Sequence, residues 1–155
     1  MEHLRPGEVC NALNQLSLRK GAPEDYDWNI NPYISNTVTH CKSWIPRWDP
    51  ETLSRVCHAA ARLGINDEEF WTLMEKYIDR VNYKLEPKGI ANVIHAFGMA
   101  GHGSTKFFED LEALCPRAIR VLKPRDLNNM ISGFVLAGQG SENIFQKWIY
   151  PYLTK

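Results

Sequence analysis

The sequence lacks an excess of charge of either sign and has no long apolar run. Its 155 residues include 18 basic and 18 acidic side chains, so the formal net charge is zero. This balance excludes a disordered charged tail and a strongly polybasic clamp for nucleic acid. No apolar run approaches the roughly 18 residues of a membrane span. Residues Met1–Arg5 form neither an apolar signal segment nor an Arg/Ser-rich presequence.

Cysteine pairs and catalytic motifs are also absent from the sequence. The four cysteines form no C-x-x-C pair, and we expect them to be reduced and mostly buried. The sequence contains no G-x-S-x-G, no H-E-x-x-H and no phosphate-binding glycine loop. Cys57 lies on an apolar helical face and is predicted to be part of the core rather than a nucleophile. We therefore predict no catalytic residue and no cofactor, and do not expect an enzyme.

What the sequence does contain is a repeat of 37 residues. Pro50, Pro87 and Pro124 are 37 residues apart, and a glycine follows each of them after 14 residues. Further positions keep the same interval, namely Asp67, Ser104 and Ser141, and then Phe70, Phe107 and Ile144. Several equivalent residues therefore recur with the same period in three copies, and this predicts a repeat protein.

Each copy has the pattern of a helical hairpin. Proline is favoured in the first turn of a helix, and apolar residues recur three, six, seven and ten places after it, which is one face of an α-helix. The glycine ends this helix because it adopts the left-handed conformation without strain. Asp67, Ser104 and Ser141 are of the N-cap type and are predicted to begin the second helix.

The N-terminal residues fit as a diverged fourth copy that starts at Pro6. This copy contains an insertion of seven residues, placed between Gly21 and Asn31, and a predicted second helix from Pro32 to about Trp44. The predicted fold is therefore all-α, an α-solenoid of about four stacked hairpins. We expect a single domain over residues 1–155, with units at about 5–48, 49–85, 86–122 and 123–155.

The 37-residue hairpin with its Pro–Leu/Ile–Gly–Phe pattern resembles the heptatricopeptide repeat family. It is also similar to octotricopeptide repeats and to the helical repeats of FAST-kinase-like and RAP-domain proteins. The likeness extends over Pro50 to the C-terminus and more loosely over Pro6–Trp48, without a C-terminal RAP domain. The resemblance implies a mitochondrial location and a role with organellar rRNA or mRNA, for example within a mitochondrial ribosome.

The polar face of the first helices is the candidate RNA-binding surface. Positions one, five, eight and twelve after the proline lie opposite the apolar face, at about 100° per residue. Asn can pair with a base edge, His and Arg can stack on unpaired bases, and Lys and Arg neutralise phosphate. The candidate RNA-binding residues are Asn11, Arg55, His58, Lys88, Asn92, His95, Arg125 and Asn129.

The alternative for this face is that it is simply solvated, as polar helix faces usually are. Zero net charge favours a module held inside a larger ribonucleoprotein over an independent, tight RNA binder. His58 and His95 share a repeat position, but no carboxylate or thiolate lies at ligand spacing, so no metal site is predicted.

An aromatic group near the insertion is the candidate protein-docking surface. Its residues are Tyr26, Trp28, Trp44 and Trp48, although for the last two core packing between units is the favoured role. Two function hypotheses follow. The first is a non-enzymatic RNA-binding subunit of an organellar ribonucleoprotein, with neighbouring protein subunits as partners and no membrane or small-molecule substrate. The second is a protein scaffold without RNA contact.

Overall fold

The described part of the chain is helical. The computed structural model describes residues 26–153 and, before them, residues 8, 11–13 and 15, which are also helical. Within the described residues, the α-helices are α1 (Pro32–Trp44), α2 (Pro50–Arg62), α3 (Glu68–Val81), α4 (Pro87–Ala100), α5 (Thr105–Ile119), α6 (Pro124–Ala137) and the short α7 (Tyr150–Leu153). A π-helical segment, Ile144–Ile149, leads into α7, and 3-10 turns occupy Trp28–Ile30, Ile45–Arg47 and Asn82–Lys84. None of the described residues belongs to a β-strand.

Four helices begin at a proline, as the sequence predicts. Pro32, Pro50, Pro87 and Pro124 each occupy the first turn, where the missing N–H has no intrahelical partner. The predicted bounds of α1 are confirmed.

The predicted N-caps of the second helices are confirmed as well. Each accepts a hydrogen bond from the backbone N–H three residues later: Asp67 from Phe70 at 2.9 Å, Ser104 from Phe107 at 3.1 Å, and Ser141 from Ile144 at 3.2 Å. These bonds satisfy N–H groups that have no carbonyl partner inside the helix.

The three helices α2, α4 and α6 end in the same way. Gly64, Gly101 and Gly138 have φ values of +75°, +71° and +64°, in the left-handed region. A closing backbone hydrogen bond spans each glycine: Ile65 N–H to Ala60 C=O at 3.0 Å, His102 to Phe97 at 3.2 Å, and Gln139 to Phe134 at 2.9 Å. Glycine is the residue that adopts this conformation without a Cβ clash.

The helices pack in two layers. In the first layer α4 lies between α2 and α6, and in the second α3 lies between α1 and α5, with α5 against the π-helical segment. The core between the layers contains the predicted apolar residues of α2, α4 and α6, although Ile131 is only partly buried. Aromatic contacts cross from the second layer to the next helix of the first, with ring centroids 5.0 Å apart for Trp71 and Phe97 and 6.5 Å apart for Phe108 and Phe134.

The backbones of α4 and α6 approach each other closely. A Cβ added to Gly133 would overlap the backbone carbonyl of Ile94 and lie 2.6 Å from the backbone nitrogen of His95. A Cβ added to Gly98 would likewise meet the backbone of Gly133, 2.8 Å from its Cα. Backbone therefore packs directly on backbone here, which only glycine permits.

Carboxylates join consecutive units of the second layer. Glu75 accepts hydrogen bonds from the Ser104 N–H at 2.9 Å and the Ser104 hydroxyl at 3.1 Å. Glu112 accepts the same two bonds from Ser141, from its N–H and, at 3.0 Å, from its hydroxyl. In each case a carboxylate of one second helix thus holds the N-terminus of the next second helix.

The second helices also contribute to the core. Their buried residues include Trp71, Ile78, Phe108 and Cys115, whereas Tyr77 is only partly buried. α5 continues past Pro116 to Ile119.

The last second helix contains the π-helical segment, which the periodicity did not predict. Pro151 lacks an N–H, and its ring crowds the carbonyl four residues earlier. Widening to an i, i+5 bond, here Tyr150 N–H to Phe145 C=O, relieves that crowding.

Part of the predicted first hairpin lies outside the described residues, including Pro6, Val9, Leu16 and Gly21. Leu13, predicted on its apolar face, is buried. Within the described residues, no helix combines the length and the apolarity that crossing a membrane requires.

Candidate functional site

A groove runs across the exposed side of α2, α4 and α6. It has a volume of about 930 Å³ and is lined by these three helices and by the residues just before each of them. The groove exists because the three helices lie side by side with their apolar faces turned to the second layer. Their polar faces then form one continuous wall.

The groove carries an excess of basic side chains although the whole chain is neutral. Among its described lining residues, six are basic (Arg55, Arg62, Lys84, Lys88, Lys123 and Arg125) and four are acidic (Asp49, Glu51, Glu86 and Asp126). The ion pairs of Lys42 with Asp67 and Glu69, and of Lys106 with Asp110, lie outside this groove.

Most of the predicted RNA-binding residues meet in this groove. Arg55, His58, Lys88, Asn92, Arg125 and Asn129 all line it. His95 contacts His58 at the groove wall. Asn11 is exposed on the helical N-terminal residues and is not among the groove residues.

His58 and His95 form a direct hydrogen bond between α2 and α4. Nε2 of His58 lies 3.1 Å from Nδ1 of His95, and the ring centroids are 5.3 Å apart with the planes tilted by 48°. Which of the two nitrogens donates depends on the tautomers of the two rings. In either case at least one of these two nitrogens must be unprotonated, so the bond requires a ring in its neutral form.

The surroundings also favour neutral histidines. Burial, with the nearby positive charges of Arg62, His95, Arg125 and Lys88, lowers the pKa of His58 from 6.5 to about 4. Burial and the charge of Arg62 lower the pKa of His95 as well. At neutral pH the groove therefore presents two uncharged imidazoles among cationic side chains.

The lowered pKa of His58 predicts a loss of stability on mild acidification. The unfolded chain, with His58 near its ordinary pKa of 6.5, binds more protons than the folded chain, in which this pKa is about 4. The free energy of unfolding should therefore fall by about 1 kcal/mol from His58 between pH 7 and pH 5, after allowance for solvent screening. Urea unfolding at several pH values measures this.

The double variant His58→Gln, His95→Gln provides the control for that experiment. The capping carboxylates Asp49 and Asp67 have pKa values below 3.8, so they stay charged over the whole range. The unfolding free energy of the double variant should be nearly independent of pH between 7 and 5. An unchanged pH dependence would show that these histidines do not cause it.

The side chain of Asn92 is less exposed to solvent than its position on the polar helix face predicts. It is only 7% exposed, although it lies at the same repeat position as the exposed Arg55 and the half-buried Asn129. α4 is flanked by a helix on both sides, so its polar face is narrower than that of α2 or α6. The exposure of this position was predicted from the helical phase alone, which takes no account of the flanking helices.

The aromatic docking candidates pack inward to different degrees. Trp48 is 7% exposed and belongs to the core, so its side chain does not stand on the surface as an anchor. Trp28 and Trp44 are partly buried against the core. The rings of Tyr26 and Trp28 meet edge to face at 4.7 Å, and their docking role stays a prediction.

The described cysteines lie in the interior of the protein. Cys41, Cys57 and Cys115 are buried and not joined in disulfides. The Cys57 thiol donates to the Ser54 carbonyl at 3.2 Å, and burial raises the pKa of Cys41 to about 12. Within the part of the chain that the structure describes, no three His, Cys, Asp or Glu side chains gather as a metal site would require.

Sequence reasoning missed three cations of the groove, Arg62, Lys84 and Lys123. Arg62 was placed on the polar face, at the twelfth position after Pro50, but was not among the chosen residues. Lys84 and Lys123 precede the helices that begin at Pro87 and Pro124, outside the helical phase that was searched. A search for bases in the turns before each proline would have found both.

No protein-family model matches this sequence, and no curated protein is significantly similar to it.

Proposed function

We propose that the chain is an α-solenoid of about four helical hairpins with a 37-residue period, of the heptatricopeptide type. Equivalent features support this proposal at 37-residue intervals: the left-handed glycines 64, 101 and 138, the closing hydrogen bonds beside them, and the Glu75 and Glu112 bonds to the following second helix. Such a stack turns the same face of every first helix to one side.

The proposed function is binding of single-stranded RNA, without catalysis, through the groove of α2, α4 and α6. The observation that carries it is the set of six basic side chains that α2, α4, α6 and the turns before α4 and α6 contribute to one groove in a neutral protein. Lys and Arg neutralise phosphates, and release of their counterions favours binding. Helical-repeat proteins that bind single-stranded RNA use one unit for each base, so a groove of three units suits a short segment.

The proposed setting is a large ribonucleoprotein, such as a mitochondrial ribosome. The location comes from the resemblance to heptatricopeptide and RAP-domain proteins. Zero net charge supports a subunit whose RNA affinity is supplemented by neighbouring proteins. In that setting the RNA would be organellar rRNA or mRNA.

The salt dependence of RNA binding tests the proposal. A groove that contacts three to four phosphates should give a plot of log K against log salt with a slope of about −2 to −3 for a single strand. Fluorescence anisotropy with a labelled single-stranded RNA of ten nucleotides, between 50 and 200 mM KCl, measures this slope. Binding that does not change with salt, or no binding at any salt, would refute the groove as a phosphate-binding surface.

A second proposal is a scaffold that holds another protein and does not contact RNA. The exposure of two adjacent apolar side chains at the end of α6, Val135 and Leu136, favours it. Ribonuclease treatment of the native assembly separates the two proposals. An RNA-bound subunit should be released with the digested RNA, whereas a scaffold should stay with its protein partners.

A further inference from the structure

The hydrogen-bonded histidines lie where positive charges from three helices converge. His58 lines the groove, and its Nε2 lies 3.1 Å from Nδ1 of His95. Three basic side chains act on His58 electrostatically, one from each helix: Arg62, Lys88 and Arg125. Arg62 acts on His95 as well. The two imidazoles therefore share a strongly cationic part of the groove.

The other charged side chains of the groove are of both signs. They are the bases Arg55, Lys84 and Lys123 and the acids Asp49, Glu51, Glu86 and Asp126. All of them are retained when only the histidines are replaced. Their contribution to any pH dependence can therefore be measured separately.

The bond between the two rings permits one additional proton. When both rings are neutral, one bridging nitrogen donates and the other accepts. Of the two outer nitrogens, His58 Nδ1 and His95 Nε2, one is then a donor and the other an acceptor. One added proton turns the outer acceptor into a donor and leaves the bridging bond intact. A phosphate oxygen only accepts hydrogen bonds, so the protonated pair binds it better than the neutral pair.

We propose that the His58–His95 pair takes up one proton from the solvent when a phosphate of RNA binds beside it, so that RNA binding tightens as the pH falls. The inference rests on the proposed RNA binding and adds that the binding depends on pH. A bound phosphate brings negative charge to the pair and offsets the positive charges that oppose its protonation.

The direction of the effect follows from the titration of His58 in the free protein. Burial, and then the neighbouring positive charges, lower its pKa to about 4. A bound phosphate should raise this pKa. The complex then holds more protons than the free protein, and its affinity increases on acidification.

Calorimetric titration of the whole protein with a short oligouridine tests this at constant salt. Uracil and internal phosphodiesters do not titrate between about pH 5 and pH 7, so with an RNA that lacks a terminal phosphate any proton taken up is bound by the protein. The affinity should rise about tenfold from pH 7 to pH 5. Near pH 5 the binding enthalpy should also differ between buffers of different ionisation enthalpy.

The double variant His58→Gln, His95→Gln assigns the proton to the pair. Glutamine forms hydrogen bonds but does not titrate, so this variant should lose most of the tightening and the buffer dependence. His40→Gln, on α1 and not among the groove-lining residues, is the matched control and should keep both. NMR titration of the histidine rings in the unmodified protein needs no substitution, and the pKa of His58 should be higher with the oligouridine than without it.

The possible failures are distinguishable. Binding with an enthalpy that is the same in all buffers would overturn the inference and leave RNA binding intact. Equal tightening in the double variant and the unmodified protein would assign the proton to other groups, such as the groove carboxylates, and would overturn it too. Absence of binding at every pH would overturn the proposed function itself.

Discussion

Replacing Arg55, Lys88 and Arg125 together by glutamate should abolish crosslinking of the protein to RNA in the assembled particle. The three side chains come from three different helices and line one groove. Each substitution removes a positive charge and adds a negative one beside Glu51, Glu86 and Asp126, which also line the groove. The groove then changes from an excess of bases to an excess of acids, and phosphates are repelled.

The control is a variant with the same change in net charge outside the groove. Arg80, Arg120 and Lys147 are exposed residues of the second layer, and their replacement by glutamate should leave crosslinking intact. Undiminished crosslinking in the groove variant would show that the groove is not the interface. Equal losses in both variants would point to overall charge as the cause.

Gly133→Ala should destabilise the protein by about 3 kcal/mol, which is large for the addition of one methyl group. Its Cβ would overlap the Ile94 carbonyl and crowd the His95 nitrogen. These are backbone atoms inside helix α4, so they cannot move aside as a flexible side chain would. The helices α4 and α6 must separate instead, with loss of packing along their contact. Urea unfolding measures the effect.

The matched control for that substitution is Gly89→Ala in the same α4 helix. There the new methyl group has room, and alanine favours the helix over glycine by about 1 kcal/mol. Gly89→Ala should therefore be neutral or stabilising. A Gly133→Ala protein as stable as the unmodified one would mean that α4 and α6 do not pack as closely as described.

The helix boundaries were predictable because they depend on local chemistry. Proline in a first turn, a left-handed glycine at a helix end and a Ser or Asp N-cap each act within a few residues. Repetition of these signals at 37-residue intervals located α2, α4 and α6 from the sequence alone. The face of each first helix that lines the groove followed from helical phase.

Features that depend on neighbouring units were not predictable in this way. The burial of Asn92, the contact of Gly133 with Ile94 and the bonds from Glu75 to Ser104 all arise between elements that are remote in sequence. The pattern of residues around one helix gives no information about the distance from that helix to the next. Lys84 and Lys123 were missed for a related reason, since they reach the groove from turns.

We propose that single-stranded RNA lies in the groove of α2, α4 and α6. Ultraviolet crosslinking of the native assembly, followed by mass spectrometry of the peptide–nucleotide adducts, shows where the RNA contacts this protein. We expect adducts within Pro50–Arg62, Pro87–Ala100 and Pro124–Ala137, at groove-facing residues such as His58 and Asn92. Adducts confined to α3 and α5, or an assembly with no RNA adduct on this protein, would contradict it.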